Sequence, residues 1–259
     1  MDLIFGLILV SALVIFFYMT LWFAVSVIAR RGDVADIAWG LGFSAVTACL
    51  SSVMVGLNPK AILIAILTAL WGIRLATHIY LRVRNKPEDY RYRKWRTDWG
   101  RWFYPRSYLQ VFLLQGFFML LISTSAITAF ADSFGKLGLL EAAGAVVWLT
   151  GFFFESVGDL ELSRFVKNPA NKGKLMTGGL WRYTRHPNYF GEVTQWWGIF
   201  LVVLSSPYGF LAIISPLTIT FLILKVSGIP MLEKKYEGRA DFAQYKRKTS
   251  AFFPLPPRS

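Results

Sequence analysis

Residues 178–192, GGLWRYTRHPNYFGE, hold more chemically capable side chains than any other stretch of this chain. Arg182, Arg185 and His186 come just before Pro187. Asn188, Tyr189 and Glu192 come just after it, with Asn188 and Glu192 four residues apart. Proline is favoured at the first position of a helix, where its missing N–H would have had no partner. The spacing therefore predicts a helix starting at Pro187 and continuing through the apolar run QWWGIFLVVL. Free N–H groups and a partial positive charge at such an N-terminus attract phosphates and carboxylates. The stretch reads as a site for an anionic cofactor, although His186 alone would equally suit a capping role.

Further ionisable residues recur at helical spacing inside apolar runs. Arg74 and His78 are four apart, as are Glu155 and Asp159, which Glu161 and Arg164 follow. Asp33 and Asp36 are three apart, with Trp39 next. Residues so spaced share a helix face, and ionisable groups inside a membrane span are costly and usually functional. Together they would line one polar cavity open to the cytoplasm. The plainer alternative is a structural ion-pair network, with Arg74 neutralised by Glu155 or Asp159. Residues 84–106 mix bases with aromatics, a composition that in a soluble protein would suit RNA. Beside a bilayer the segment is expected at the headgroups or folded over the cavity, where Asp89, Tyr90, Arg91 and Tyr92 would grip a nucleotide. GLGFSA at 40–45 fits a dinucleotide fingerprint only in its letters, since no strand precedes it. The single cysteine, Cys49, allows no intramolecular disulfide, and the two histidines show no metal-ligand spacing.

The elements that must carry these residues are membrane helices. Hydrophobic residues make up 55% of the chain and the mean hydropathy is +0.46. Seven apolar runs are long enough to span, at 3–29, 34–56, 61–81, 107–131, 137–161, 188–206 and 208–229. The first is too long for a signal peptide and lacks a cleavage site, so it reads as a retained helix. The net charge is +13. All the Lys and Arg residues except Lys60, Arg74 and Lys136 fall after the first, third and fifth runs or in the tail from Lys225, at the end of the seventh. Seven spans place all four basic segments on one side. The positive-inside rule makes that side cytoplasmic, with the N-terminus outside and the C-terminus inside. The basic excess is then topological, with anionic lipid or a phosphorylated cofactor as partner rather than nucleic acid. The expected architecture is one all-α, seven-helix membrane domain over 1–259. It has cytoplasmic loops at 84–106 and 162–188 and a cytoplasmic tail at 232–259, the tail carrying a short amphipathic helix before PLPP.

The blocks DVADIAWGLGF (33–43), WGIRLATHIYLR (71–82), EDYRY (88–92), GGLWRYTRHPNYFGE (178–192) and YKRKTSAFFPLPP (245–257) together resemble the DUF1295 group of bacterial membrane proteins. That group is related to the C-terminal domain of steroid 5α-reductases. The resemblance implies NADPH held among the cytoplasmic halves of the helices, and reduction of a carbon–carbon double bond conjugated to a ketone. It implies cofactor contacts at Asn188 and Glu192, at Asp159 and Glu155, at Arg74 near the phosphates and at Tyr236. Lys172, Lys174, Arg185, His186 and Tyr189 join this expected set. Steroid reductases polarise the ketone with a glutamate and a tyrosine. Near those places this chain offers Asp36, whose apolar setting would favour the protonated form, and Trp71, whose indole N–H donates a hydrogen bond but cannot transfer a proton.

Arg185-His186-Pro187 also resembles the R-H-P motif of isoprenylcysteine-type membrane methyltransferases. That motif binds S-adenosylmethionine and is paired with two later adjacent glutamates, which Glu233-Lys234 matches by half. Three functions therefore stand: an NADPH-dependent reductase of an apolar lipid enone, an S-adenosylmethionine-dependent lipid methyltransferase, and a non-catalytic lipid-binding protein. The expected partners are an apolar, lipid-like small molecule and membrane lipids. The expected location is a bacterial inner membrane, and the oligomeric state stays open.

Overall fold

The computed structural model describes residues 2–258. Among these it is all-helical, without strands, and carries one isolated bridge pairing Thr184 with Ser250. The helices are α1 (Asp2–Ala29), α2 (Val34–Val53), α3 (Pro59–Val83), α4 (Tyr90–Trp99), α5 (Phe103–Ser107), α6 (Leu114–Ile122), α7 (Thr124–Ala131), α8 (Leu139–Lys167), α9 (Pro187–Val203), α10 (Ile214–Phe221), α11 (Ile229–Lys234) and α12 (Ala240–Lys248). A π-helical stretch, Tyr108–Leu113, joins α5 to α6.

Six helical segments are long and apolar enough to cross a bilayer: Asp2–Ala29, Val34–Val53, Pro59–Val83, Tyr90–Ile122, Leu139–Lys167 and Gly209–Lys234. The run expected at 188–206 forms α9, which has 17 residues. At 1.5 Å per residue it reaches about 25 Å, short of the ~30 Å hydrocarbon core. α1 is the most apolar segment, and Phe5, Leu9, Phe17 and Leu21 stay exposed along it, as on a helix that faces lipid. The segment expected as a loop at 84–106 is instead largely helical, with Gly100 (φ +49°) marking the break after α4. α8 likewise runs on to Lys167, into the stretch expected as a second loop.

The chain divides into two compact units, residues 2–138 with 203–215, and residues 139–202 with 216–258. In the first unit α2 and α3 meet at Gly40 and Gly72. A Cβ on Gly72 would stand 2.3 Å from the Gly40 carbonyl oxygen, and one on Gly40 would stand 2.9 Å from that of Gly72. The glycine of the GLGFSA run thus serves helix packing. Asn58 caps α3, accepting from the Ala61 N–H at 2.9 Å while its amide donates to the carbonyls of Ala129 and Asp132. Lys60, which sequence places in a connection, is buried. Its Nζ sits 3.4 Å from Asp132 Oδ2 and donates to Ser205 and Ser206.

In the second unit α8 and α9 pack backbone to backbone. Gly144, Gly151 and Gly158 recur every seven residues on α8, as do Gly191 and Gly198 on α9. A Cβ on Gly191 would stand 2.4 Å from the Glu155 nitrogen, and one on Gly198 would stand 2.6 Å from that of Trp148. Small residues at such spacing allow apolar helices to approach closely. The expected short helix of the tail is α12. The chain after it lies along the RHP element, with the Arg185 N–H donating to Ser250, the Leu255 N–H to Tyr183 and the Thr184 hydroxyl to Phe252.

Candidate functional site

The second unit gathers the residues that opened the sequence analysis. α9 begins at Pro187 as expected, and Thr184 Oγ1 accepts from the His186 N–H ahead of it. Arg185 and His186 are both buried, although they precede the helix. Burial needs partners, and Glu233 of α11 supplies them. The Arg185 Nε and Nη2 atoms lie 2.8 and 2.7 Å from Glu233 Oε1, and Lys246 of α12 lies 3.0 Å from Oε2. Arg185 Nη1 donates to the carbonyls of Thr249 and Lys246. All three guanidinium nitrogens therefore bind protein acceptors. Arg185, expected to hold a phosphate, serves instead to tie α9, α11 and the tail together.

His186 Nε2 lies 3.2 Å from the same Glu233 oxygen. Burial pushes the imidazole below its ordinary value, and Arg185 adds to this, against the pull of Glu233. The neutral ring carries one N–H, and a carboxylate partner assigns it to Nε2. Nδ1 is then a buried acceptor, and among the described residues it meets no donor. The ring stacks on Tyr189, centroids 5.6 Å apart.

Two amide–carboxylate pairs bridge α8 and α9. Asn188 Nδ2 donates to Asp159 Oδ1 at 3.1 Å, and Gln195 Nε2 donates to Glu155 Oε2 at 2.5 Å. A carboxylate can only accept, so each amide turns its NH₂ toward it and its oxygen elsewhere. Asn188 Oδ1 and Gln195 Oε1 are buried without a hydrogen-bond donor. The Trp181 indole N–H donates to the Gly158 carbonyl at 3.1 Å, and the Tyr245 hydroxyl donates to the Trp181 carbonyl. Glu233 also edges an open cleft of about 610 Å³ between α11 and α12, shared with Tyr236, Phe242 and Arg239. The Tyr236 and Phe242 rings meet there at a tilt, centroids 5.3 Å apart.

Of the expected cofactor residues, Glu155, Asp159, Arg185, His186, Asn188, Tyr189, Glu192 and Tyr236 lie in this unit. Glu192 is half-buried on α9. Lys172 and Lys174 stand exposed on the turn after α8 and make no side-chain contact with the cluster. Arg74 belongs to α3 of the first unit and is half-buried there with His78.

Asp36 and Trp71 also belong to the first unit. Trp71 is buried against Phe43 at 5.4 Å. Asp36 is not a lone acid in an apolar setting. Arg91 Nη2 lies 2.9 Å from its Oδ2, and the Tyr92 hydroxyl donates to its Oδ1 at 3.2 Å. Asp33 is tied in alongside, held by Arg31 at 2.8 Å and by the Asp89 N–H at 3.1 Å. Of the residues expected at a nucleotide, Arg91 and Tyr92 meet Asp36 of α2 and Asp89 meets Asp33 just before it, while Tyr90 is exposed. Sequence reading missed Gln195 and Lys246 altogether. Gln195 follows Asn188 by seven residues, a spacing that places it on the same face, and that was the available signal.

Helices of this length and apolarity, with a buried polar cluster in one unit, define an all-helical membrane protein. The family described as "Protein of unknown function (DUF1295)" matches residues 22–249. The chain belongs to that family. Over 48 residues it is 46% identical to a protein of Ustilaginoidea virens named "Probable O-methyltransferase ustE". That match covers 18% of this chain and 17% of the fungal protein. No solved structure matches the chain.

Proposed function

We propose that the chain is a membrane methyltransferase that uses S-adenosylmethionine to modify an apolar, lipid-like acceptor. The second unit holds the cofactor. One observation carries this reading: His186 Nδ1, Asn188 Oδ1 and Gln195 Oε1 are buried acceptors with no protein donor, while every guanidinium nitrogen of Arg185 is already bound. Buried acceptors call for a ligand rich in donors. S-adenosylmethionine offers an ammonium group, ribose hydroxyls and an adenine amino group. NADPH offers similar donors on its adenine, riboses and carboxamide but also needs cations for a pyrophosphate and a further phosphate, and of the expected holders Arg185 is engaged by Glu233, Lys172 and Lys174 are exposed, and Arg74 belongs to the first unit. When bound, S-adenosylmethionine supplies an electrophilic methyl group on a sulfonium. Glu233, held by Arg185, His186 and Lys246, fixes the RHP element, and the amides of Asn188 and Gln195 orient ligand donors. The fungal relative named as a probable O-methyltransferase agrees with this reading over the short segment that it shares.

The topology proposed with it has seven spans, α9 being the short seventh. The N-terminus is outside, and the RHP element and the tail are on the cytoplasmic side of a bacterial inner membrane. The distribution of basic residues supports this.

A second reading, NADPH-dependent reduction of a lipid enone, is favoured by the Tyr92–Asp36 pair. It supplies the phenol that Trp71 lacks, and that phenol polarises a ketone once its O–H turns from Asp36 to the carbonyl oxygen.

Thermal unfolding of the purified protein in detergent, with S-adenosylmethionine, NADPH or NADH added, separates the readings. A ligand at a hundred times its Kd stabilises the folded state by about 2.7 kcal/mol. The expected result is stabilisation by S-adenosylmethionine, weakened in Asn188→Ala. Stabilisation by NADPH alone would replace the methyltransferase with the reductase. Stabilisation by none of the three would leave the non-catalytic lipid-binding protein.

A further inference from the structure

The first unit carries a groove that the proposed chemistry does not use. It has a volume of about 200 Å³ and runs between α1 and α6. Its floor is Ile15, Met19 and Gly116, all buried, and its rim is Phe16 and Phe117, both exposed. The missing side chain at Gly116 makes the depth, because a Cβ there would stand 3.1 Å from Ile15 Cγ2. The groove opens on the lipid-facing side of α1, where Leu9, Leu13 and Phe17 are exposed. All of its lining is apolar, and acyl chain is the apolar material that a bilayer supplies there.

Charge and aromatic rings gather toward one end of α6. Two turns before Leu113 of the groove the chain carries Arg106, and Arg101 lies a little further back, both exposed. Each guanidinium stands by an indole, Arg101 at 5.8 Å from the Trp102 ring and Arg106 at 6.0 Å from the Trp99 ring. Trp102 is itself exposed. Tryptophan rings settle at the membrane–water interface, so these arginines are held at headgroup depth. Among the described residues neither is paired with a carboxylate. Basic residues at that depth attract anionic lipid, by about 1 kcal/mol each. A second copy of the chain would present the same positive rim and gain nothing from it.

We infer that the groove between α1 and α6 is a binding site for one anionic phospholipid, with an acyl chain against Gly116 and the headgroup phosphate at Arg101 and Arg106. The site is separate from the cofactor cluster, and its occupant is selected by headgroup charge.

Native mass spectrometry of the detergent-purified protein, titrated with phosphatidylglycerol or phosphatidylcholine, tests this. The parent should retain one phosphatidylglycerol in preference to phosphatidylcholine. The double variant Arg101→Gln/Arg106→Gln should lose about fivefold in phosphatidylglycerol affinity per arginine, roughly 25-fold in all. Arg101→Lys/Arg106→Lys keeps both charges and should retain the lipid. Ala12→Phe, which fills the groove from its wall, should weaken both lipids. Equal retention of the two lipids by the parent, or parent-like retention of phosphatidylglycerol by the neutralised variant, would overturn the assignment. So would a dimer whose contact face excludes lipid from the groove.

Discussion

Removing the Glu233 carboxylate should unfasten the second unit. Glu233 is the shared acceptor of Arg185, His186 and Lys246, and the side chains of Arg185 and Glu233 are only 7% and 13% exposed. Breaking a fully buried ion pair by deleting one partner typically costs 3–5 kcal/mol, because the surviving charge is left uncompensated. Glu233 keeps some contact with solvent, so about 2–4 kcal/mol is expected for Glu233→Ala. In a chain of this size 1 kcal/mol moves the melting temperature by roughly 2–4 °C, which puts the shift at about 4–16 °C. Glu233→Gln keeps the shape and one acceptor oxygen but loses the charge, and should fall about halfway. Glu237→Ala, an exposed neighbour on the same segment, should move the transition by less than about 2 °C. The assay is unfolding in one detergent at one protein concentration, at a fixed scan rate because such transitions are often irreversible. If Glu233→Ala melts with Glu237→Ala, the cluster does not hold the unit together and the reasoning fails. A double variant, Arg185→Met/Glu233→Met, should lose less than the two single variants summed, since it leaves no buried charge behind.

The glycine contacts give a second prediction. Gly191→Ala should cost about 1–3 kcal/mol, toward the upper end because its Cβ would meet backbone atoms of Glu155 and Gly151; Gly6→Ala, with nothing within 4 Å, should be neutral, and equal melting of the two would refute the packing. His186 gives a pH dependence. Its folded value lies below the ordinary 6.5, so below pH 6.5 the unfolded chain binds the proton that the folded chain resists. Stability should therefore rise with pH from the folded value up to about 6.5 and be complete above it. His186→Gln should flatten that part of the profile, and an unchanged profile would show that another group causes it.

Helices and their polar faces were legible because they rest on periodicity. Pro187 at the head of α9, Glu155 with Asp159 on α8 and Asn188 on α9 all follow from spacing of three or four residues. Pairings across elements were not legible. Arg185 reads as a free cation in sequence, and only the approach of α11, 48 residues later, shows that Glu233 consumes it. Asp36 reads as an isolated acid for the same reason, since Arg91 and Tyr92 reach it from 55 and 56 residues away. Lys60 looked like a loop residue because nothing near it in sequence announces Asp132. The helices within the 84–106 connection were not legible because its charges mask an amphipathic period. Tyr92, Trp95, Arg96 and Trp99 turn inward on α4, while Arg93, Lys94, Thr97 and Asp98 face out.

The glycines and the residues proposed to hold the cofactor in the second unit belong to one stripe, and on that proposal stability is tied to binding. On α9 the stripe reads Asn188, Gly191, Gln195, Gly198, and on α8 it reads Trp148, Gly151, Glu155, Gly158, Asp159. Backbone contact at the glycines brings the helices close enough for short side chains to pair across them, as Asn188 does with Asp159 and Gln195 with Glu155. Once each NH₂ is taken by a carboxylate, each amide oxygen has a fixed direction and needs no reorganisation to accept from a ligand. That is preorganisation by packing. A glycine substitution that spreads the helices must therefore weaken ligand binding as well as the fold, whereas Asn188→Ala should weaken binding with a smaller loss of stability. If Gly191→Ala lowered stability yet left cofactor affinity at the parent level, the amides would not be the ligand's acceptors, and the site would lie elsewhere in the chain.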